Sequence, residues 1–306
     1  MTTAADPVRY HLVRLVGGLS APLRDTVGGL VDRPGKLLRS RLLTACAGFG
    51  RPDAGRVARL GAVVELVHLA SLVHDDVIDR AAIRRGGPAA HRAAGPELAV
   101  LAGLACLAAA GTEAADLGEG VATAVSRTVA ELAHGELLDV ERGFDTGLSL
   151  PDYVDLVRRK TGVLFRLCCL LGAIESEVDS AVAAALAEFG VEWGIAFQVL
   201  DDCLDLEAAG DDKPAGTDHL LGLFGAPTLA ALRADTTGEL HRLLLTPSFS
   251  GGDLPRVREL VTAHGGLRAA RTLAGVHFGH ARAALARTPD GEARRTLSRM
   301  LEASRS

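Results

Sequence analysis

The sequence predicts an all-α protein, and three observations carry that reading. Ala and Leu, both strong helix formers, dominate the composition. Runs of β-branched and aromatic residues are scarce, and no Asn-Gly turn occurs. Apolar residues recur at helical spacing, as in Leu60, Val63, Val64 and Val67, and again in Tyr153, Leu156, Val157, Leu164 and Phe165.

Breakers set the element boundaries. They fall at Asp32-Arg33-Pro34-Gly35, Arg51-Pro52-Asp53, Gly86-Gly87-Pro88, Gly95-Pro96, Gly143 to Pro151, Lys213-Pro214 and Gly251 to Pro255. Ten to thirteen helices are expected between them. The central ones are placed at about 55–80, 98–111, 121–142, 151–175 and 183–209. Residues 210–228 read as a loop, and the polar tail 293–306 is expected to fray. The 306 residues allow one large domain or two small ones. Neither a linker nor a fixed-period repeat is visible, so one domain is expected over 1–306, with its core at about 30–290.

Composition narrows the function. Hydrophobic residues are 48% and charged residues 23%, which excludes a disordered or collagen-like chain. A net charge of −5 and 4% aromatics argue against a nucleic-acid partner. The N-terminus lacks a basic cluster followed by an apolar core, so no signal peptide is expected. The longest unbroken apolar run, Leu98 to Ala110, falls short of the ~20 residues of a membrane span. A protein without stable membrane insertion is expected. Cys46, Cys106, Cys168, Cys169 and Cys203 are odd in number and form no CxxC pair. That pattern fits a reducing cytoplasm rather than a disulfide framework or a zinc site.

Two segments carry chemistry: Asp75-Asp76-Val77-Ile78-Asp79 and Asp201-Asp202-Cys203-Leu204-Asp205, each a DDxxD. On a helix, residues i and i+4 share a face, with i+1 about 100° away. Asp75 with Asp79, and Asp201 with Asp205, therefore present paired carboxylates one turn apart. Such pairs repel unless a cation sits between them, and hard oxygen donors with room for water suit Mg²⁺. One DDxxD arises by chance in roughly 6% of chains of this length, so two independent copies are not a composition effect. Both follow apolar helical runs, where carboxylates are costly unless paired or metal-bound. Lys36, Arg39, Arg84, Arg85, Lys160 and Lys213 supply cations. Cations beside two acidic clusters suit a diphosphate, which takes both metal bridging and forked donors.

With these motifs the sequence resembles the trans-prenyltransferase family, the all-E polyprenyl diphosphate synthases. The residues that carry the resemblance are Gly35-Lys36…Arg39, Glu65 to Asp79, Arg84-Arg85-Gly86…Pro88…His91, Gly135-Glu136, Lys160-Thr161, Phe197-Gln198…Asp205 and Lys213-Pro214…Gly216…Asp218. It runs from about Pro34 to Leu232, and weakly to Leu285. The resemblance implies a single-domain helical bundle of the isoprenoid synthase type with a deep central apolar cavity. It implies that isopentenyl diphosphate is condensed with an allylic prenyl diphosphate. Asp75, Asp79 and Asp201 would hold Mg²⁺, three ions in all, with Asp76, Asp202 and Asp205 in support. Arg84, Lys160 and Lys213 would grip the allylic diphosphate. Lys36, Arg39, His68 and Arg85 would hold the diphosphate of isopentenyl diphosphate, and Thr161 and Gln198 would flank the reacting carbons. Ala70 and Ser71, both small, stand where the family sets its tunnel floor, which implies a product of C20 or longer. A homodimer is also implied.

The sequence departs from the family at several points. Leu223 stands where a Lys is usual and Gly225 where a Thr is usual. Gly103-Leu104 replaces a Gly-Asp pair, and Asp139 replaces a common Gln. These departures keep an alternative in view, a class I terpene cyclase on the same fold that ionises a prenyl diphosphate without elongation. Against it, Lys36, Arg39, His68 and Arg85 are all present, and a cyclase has no use for a second diphosphate site. A third class, the regulatory subunit of a heteromeric synthase, is disfavoured because both Asp motifs are kept. His74 suits either orienting a carboxylate or helix packing. Cys168-Cys169 and Trp193 read as core. The run 98–110 suits either a dimer face or intramolecular packing.

Overall fold

The computed structural model describes residues 6–33, 35–207 and 217–305. The chain opens with α1 (Pro7–Gly17), α2 (Ala21–Asp32) and α3 (Leu38–Ala47). Then come α4 (Ala54–Ile78), α5 (Ala90–Ala94), α6 (Pro96–Leu117) and α7 (Glu119–Glu141). Next are α8 (Leu150–Val157), a π-helical turn at Arg158–Gly162, α9 (Val163–Glu175) and α10 (Ser180–Glu207). The C-terminal part holds α11 (Ala226–Ala234), α12 (Glu239–Leu244), α13 (Leu254–Ala263), α14 (Gly266–Ala286) and α15 (Glu292–Ala303). The five central helices lie where the sequence places them. Fifteen α-helices among the described residues exceed the ten to thirteen expected, because short connecting segments are themselves helical.

Local chemistry explains the boundaries. Asp53 caps α4 by accepting a hydrogen bond from the Arg56 N–H at 2.7 Å, and Ser149 caps α8 through the Asp152 N–H at 3.2 Å. A two-stranded antiparallel ribbon pairs Ile83 with Pro88 and Arg84 with Gly87. Its turn residues Arg85 and Gly86 have φ of 51° and 70°, as a tight hairpin turn requires.

One contiguous core joins the helices. α4 packs on α3 and α6, and α10 packs on α9 and α14. A Cβ added at Gly194 of α10 would lie 2.7 Å from the Cα of Gly162, so glycine lets the two backbones approach there. Trp193, Cys168 and Cys169 are fully buried, as expected, and all five cysteines are free and buried. Three helices, α4, α6 and α10, are long and apolar enough to cross a membrane by length and composition. In α4 and α10 most of that apolar stretch is buried within the fold, whereas α6 leaves Val100, Leu101 and Leu104 exposed.

Two expectations are corrected. The tail expected to fray is helical through Ala303. Residues Glu292–Ala303 form α15, which buries Leu297 and Leu301, and Ser304 beyond it accepts a hydrogen bond from the Trp193 indole at 2.9 Å. Leu301→Ala is therefore expected to cost about 2–5 kcal/mol, read as a lowered melting temperature. The loop expected at 210–228 is shorter: Thr217–Leu221 is a 3₁₀ turn and α11 starts at Ala226. The rest of that stretch up to residue 216 lies outside the described residues.

Candidate active site

The two DDxxD segments occupy the C-terminal ends of α4 and α10. Asp75, Asp79, Asp201 and Asp202 line one cavity of about 440 Å³, together with Arg39, His68, Ser71, Arg84, Lys160, Thr161 and Gln198. The two acidic motifs therefore share one chamber, as the resemblance implies. A second cavity of about 530 Å³ shares Ser71, Asp75 and Lys160 with the first. Its wall is mainly apolar, formed by Val67, Ile78, Leu107, Val129, Leu132 and Val140 among others. This is the deep apolar cavity of the expected fold.

The carboxylates are strained by their setting. Burial pushes the Asp75 carboxyl up to about 8, reinforced by Glu136 and Asp79 and opposed by Lys160. Burial likewise lifts Asp79 to about 6. The Oε1 of Glu136 is buried and has no hydrogen-bond partner. Acids that cannot all ionise beside one another, with an orphaned oxygen among them, are a donor set that fits a hard divalent cation. Lys160, in the π-turn, answers them: its Nζ lies 3.0 Å from Glu136 Oε2 and also pairs with Asp139. Burial alone would lower its pKa, but Asp139, Asp75 and Glu136 outweigh it and hold it above the usual range. Single-turn π bulges recur at functional sites. Here the bulge presents Lys160 and Thr161 to the chamber.

A chain of hydrogen bonds orders the opposite wall. Thr161 Oγ1 donates to Gln198 Oε1 at 2.8 Å, and Gln198 Nε2 donates to Asp202 Oδ1 at 3.1 Å. Asp202 Oδ2 accepts from the Tyr153 hydroxyl at 2.5 Å and from the Ala226 N–H at 3.0 Å. Burial lifts Asp202 to about 7, against the pull of these three bonds. Asp202 thus anchors the site rather than facing a cation. The same bonds explain Gly225. A Cβ there would sit 2.4 Å from Asp202 Oδ2. Gly225→Thr, which restores the family's usual residue, is expected to break the Tyr153–Asp202 contact. The cost is about 1–3 kcal/mol in a denaturant titration, and a neutral result would refute this account.

Other expected residues are placed differently. Asp76 is fully buried and receives the Arg84 guanidinium, with Nη2 at 2.5 Å and Nε at 2.8 Å. Its position at i+1 turns it from the Asp75–Asp79 face into the core, so it positions Arg84. Ala70 is fully buried and lines neither cavity, whereas Ser71 lines both. Arg39 and His68 meet in the chamber, where Arg39 Nη1 donates to His68 Nε2 at 3.0 Å. Burial and the Arg39 cation hold His68 well below its ordinary pKa. The Nε of Arg39 is buried and unpartnered. Lys36 and Arg85 do not line the chamber. Backbone turns at Gly35 and Leu37, with φ of 69° and 47°, bring exposed Lys36 to a separate surface cavity beside α15. Arg85 Nη1 donates to the Arg33 carbonyl at 3.1 Å and so braces that loop. Asp205 lies on α10 and does not line the chamber. Lys213 lies outside the described residues. Leu223, at the Lys position, does line it. His74 serves packing, with Nε2 3.2 Å from the Val100 carbonyl of α6. Sequence reasoning missed Asp139 and Tyr153 as site residues. Asp139 follows Glu136 at i+3, a spacing that signals a shared helix face.

Comparison with known proteins decides the family. The Polyprenyl synthetase family model matches residues 21–259. The chain belongs to the polyprenyl synthetase family. Nonaprenyl diphosphate synthase of Mycobacterium tuberculosis is 32% identical over 285 residues, covering 92% of this chain and 85% of its own. Among solved structures, a polyprenyl synthase from Caulobacter crescentus CB15, complexed with calcium and isoprenyl diphosphate, superposes with a TM-score of 0.92. It is 31% identical and covers 98% of this chain and 93% of its own. A decaprenyl diphosphate synthase from Rhodobacter capsulatus gives 0.91 at 29% identity, covering 97% and 94%. This member of the family is a prenyltransferase that makes prenyl diphosphates of C20 or longer. The cyclase alternative gains nothing from these relatives, which are all named as synthases.

Proposed function

We propose that this chain condenses isopentenyl diphosphate with an allylic prenyl diphosphate in the 440 Å³ chamber and feeds the growing chain into the 530 Å³ apolar cavity. The observation that carries this reading is the shared wall. Ser71 and Asp75 border both spaces, so a diphosphate held at the acids has its hydrocarbon directed into the apolar one. Asp75, Asp79 and Asp201 would hold Mg²⁺, three ions in all, with Asp205 in support. When bound, Mg²⁺ supplies charge neutralisation for the departing diphosphate.

The chain's own residues do the rest. Arg84, fixed by Asp76, and Lys160, fixed by Glu136 and Asp139, present cations to the allylic diphosphate together with Lys213. The unpartnered Nε of Arg39 offers a donor to the second diphosphate, with neutral His68 beside it. Lys36 and Arg85, which lie outside the chamber here, are proposed to complete that subsite. Thr161 and Gln198, locked by Asp202, border the reacting carbons. The apolar walls exclude water that would quench an allylic cation. The exposed face of α6 at Leu98, Leu101 and Leu104, which lines neither cavity, is the proposed homodimer surface. A cytoplasmic site of action is proposed from five buried, unpaired thiols.

The test is direct. Purified protein is incubated with Mg²⁺, isopentenyl diphosphate and, separately, C10, C15 and C20 allylic diphosphates, and products are identified by mass. Linear diphosphates lengthened by five-carbon units, and absent in EDTA, are expected. Hydrocarbons or alcohols formed without isopentenyl diphosphate would overturn the reading.

A further inference from the structure

Glu192 of α10 and His277 and His280 of α14 bring one carboxylate oxygen and two imidazole nitrogens within 4.8 Å of one another. None of the three lines either cavity of the active site. We propose that they form a second, separate metal site, one that takes a borderline divalent transition ion such as Zn²⁺.

The geometry is convergent. His277 Nδ1 lies 2.7 Å and His280 Nδ1 3.2 Å from the same atom, Glu192 Oε2. The two rings stand at 85° with centroids 5.7 Å apart, so their nitrogens reach one point from different directions. Their i, i+3 spacing on α14 places both on the face that meets α10. A buried glutamate needs one histidine and a nearby arginine for its charge. Arg158 Nη2 already stands 3.8 Å from Oε1, the other oxygen. A second histidine on Oε2 is surplus to that need but supplies the third ligand of a metal site. The His277 and Glu192 side chains are only 9% and 11% exposed, whereas His280 is 59% exposed and leaves an entry path and room for a water as fourth ligand.

Donor chemistry sets the selectivity. Imidazole with one carboxylate suits Zn²⁺, Ni²⁺ or Co²⁺, while Mg²⁺ prefers oxygen ligands throughout. The site therefore stays available while Mg²⁺ fills the Asp-rich chamber. Its consequence is mechanical. Glu192 lies six residues, about 9 Å along the helix, before Gln198. A metal there would tie the helix that carries Gln198, Asp201 and Asp202 to α14.

The experiment titrates Zn²⁺ into the full-length protein in millimolar Mg²⁺ by calorimetry, and Co²⁺ in parallel by visible absorption. One site per chain is expected, together with a raised melting temperature and the intense visible bands of a four-coordinate cobalt site. His280→Gln changes an exposed residue and keeps the fold. It is expected to weaken binding by at least the roughly 10-fold that loss of a mere outer-shell partner costs and to abolish the cobalt bands, and His277→Gln with His280→Gln to remove the site. No binding by the wild type, or the same affinity and spectrum in His280→Gln, would overturn the proposal.

Discussion

Asp75→Ala is expected to lower kcat/KM by roughly 10³-fold, about 4 kcal/mol of transition-state stabilisation. Asp75 sits where the two cavities meet and is the most strongly perturbed carboxyl of the first motif, lifted to about 8 by burial and by Glu136 and Asp79. The same perturbation predicts a pH dependence, and the sign follows from proton counts. Between the ordinary carboxyl range near 4 and the folded value near 8, the folded metal-free protein binds more protons than the unfolded chain. Its stability should therefore fall as pH rises through that window. A cation must displace those protons, so the apparent Mg²⁺ affinity should rise from pH 6 to pH 8. Mg²⁺ activation curves at several pH values check this. Asp75→Asn should flatten the pH dependence while circular dichroism shows the fold intact. Full activity in Asp75→Ala would remove the first motif from the reaction.

What the sequence made legible, and what it hid, follows from the kind of information each pattern holds. Helical spacing located α4 and α10 and put Asp75 and Asp79 on one face; that this face meets Asp201 of α10 came from the family resemblance, and Asp205, one turn past Asp201, does not line the chamber. The i+1 residues were harder. Asp76 turns into the core to Arg84, and Asp202, though it borders the chamber, is taken up by Tyr153, Gln198 and the Ala226 N–H, so each steadies the site through a protein partner. Loop residues were hardest. Lys36 and Arg85 are near the motif in sequence, but positive φ at Gly35, Leu37 and Arg85 sets the direction of the chain, and composition does not encode that direction. The α15 helix was missed for another reason. Its residues are mostly polar, yet Leu297 and Leu301 at i, i+4 are enough to dock it on the core. The departures at Gly225 and Asp139 each have a local role. Gly225 makes room for the Asp202 carboxylate, and Asp139 pairs with Lys160.

Ser71→Phe is expected to convert the enzyme to a short-chain synthase. Ser71 lies one turn before Asp75 on α4 and borders both the reaction chamber and the apolar cavity. Its hydroxyl donates to the His68 carbonyl at 2.9 Å, so its own polarity is satisfied within the helix and the space beside it is open to hydrocarbon. A phenyl ring there fills the passage between the spaces while leaving the carboxylates of Asp75, Asp79 and Asp201 in place. Chemistry at the diphosphate should continue, with first-condensation turnover within a few-fold of wild type, while products stop at C15 or below. Ala70→Phe provides the contrast. Ala70 is buried in the core and lines neither cavity, so the added volume should overpack the helices and cost about 1–3 kcal/mol of stability. Products separated by length after timed incubation, together with melting temperatures of both variants, distinguish the two effects. If Ser71→Phe still yields C20 and longer chains at the wild-type ratio, the hydrocarbon takes another route out of the chamber. The apolar cavity would then have to be reassigned.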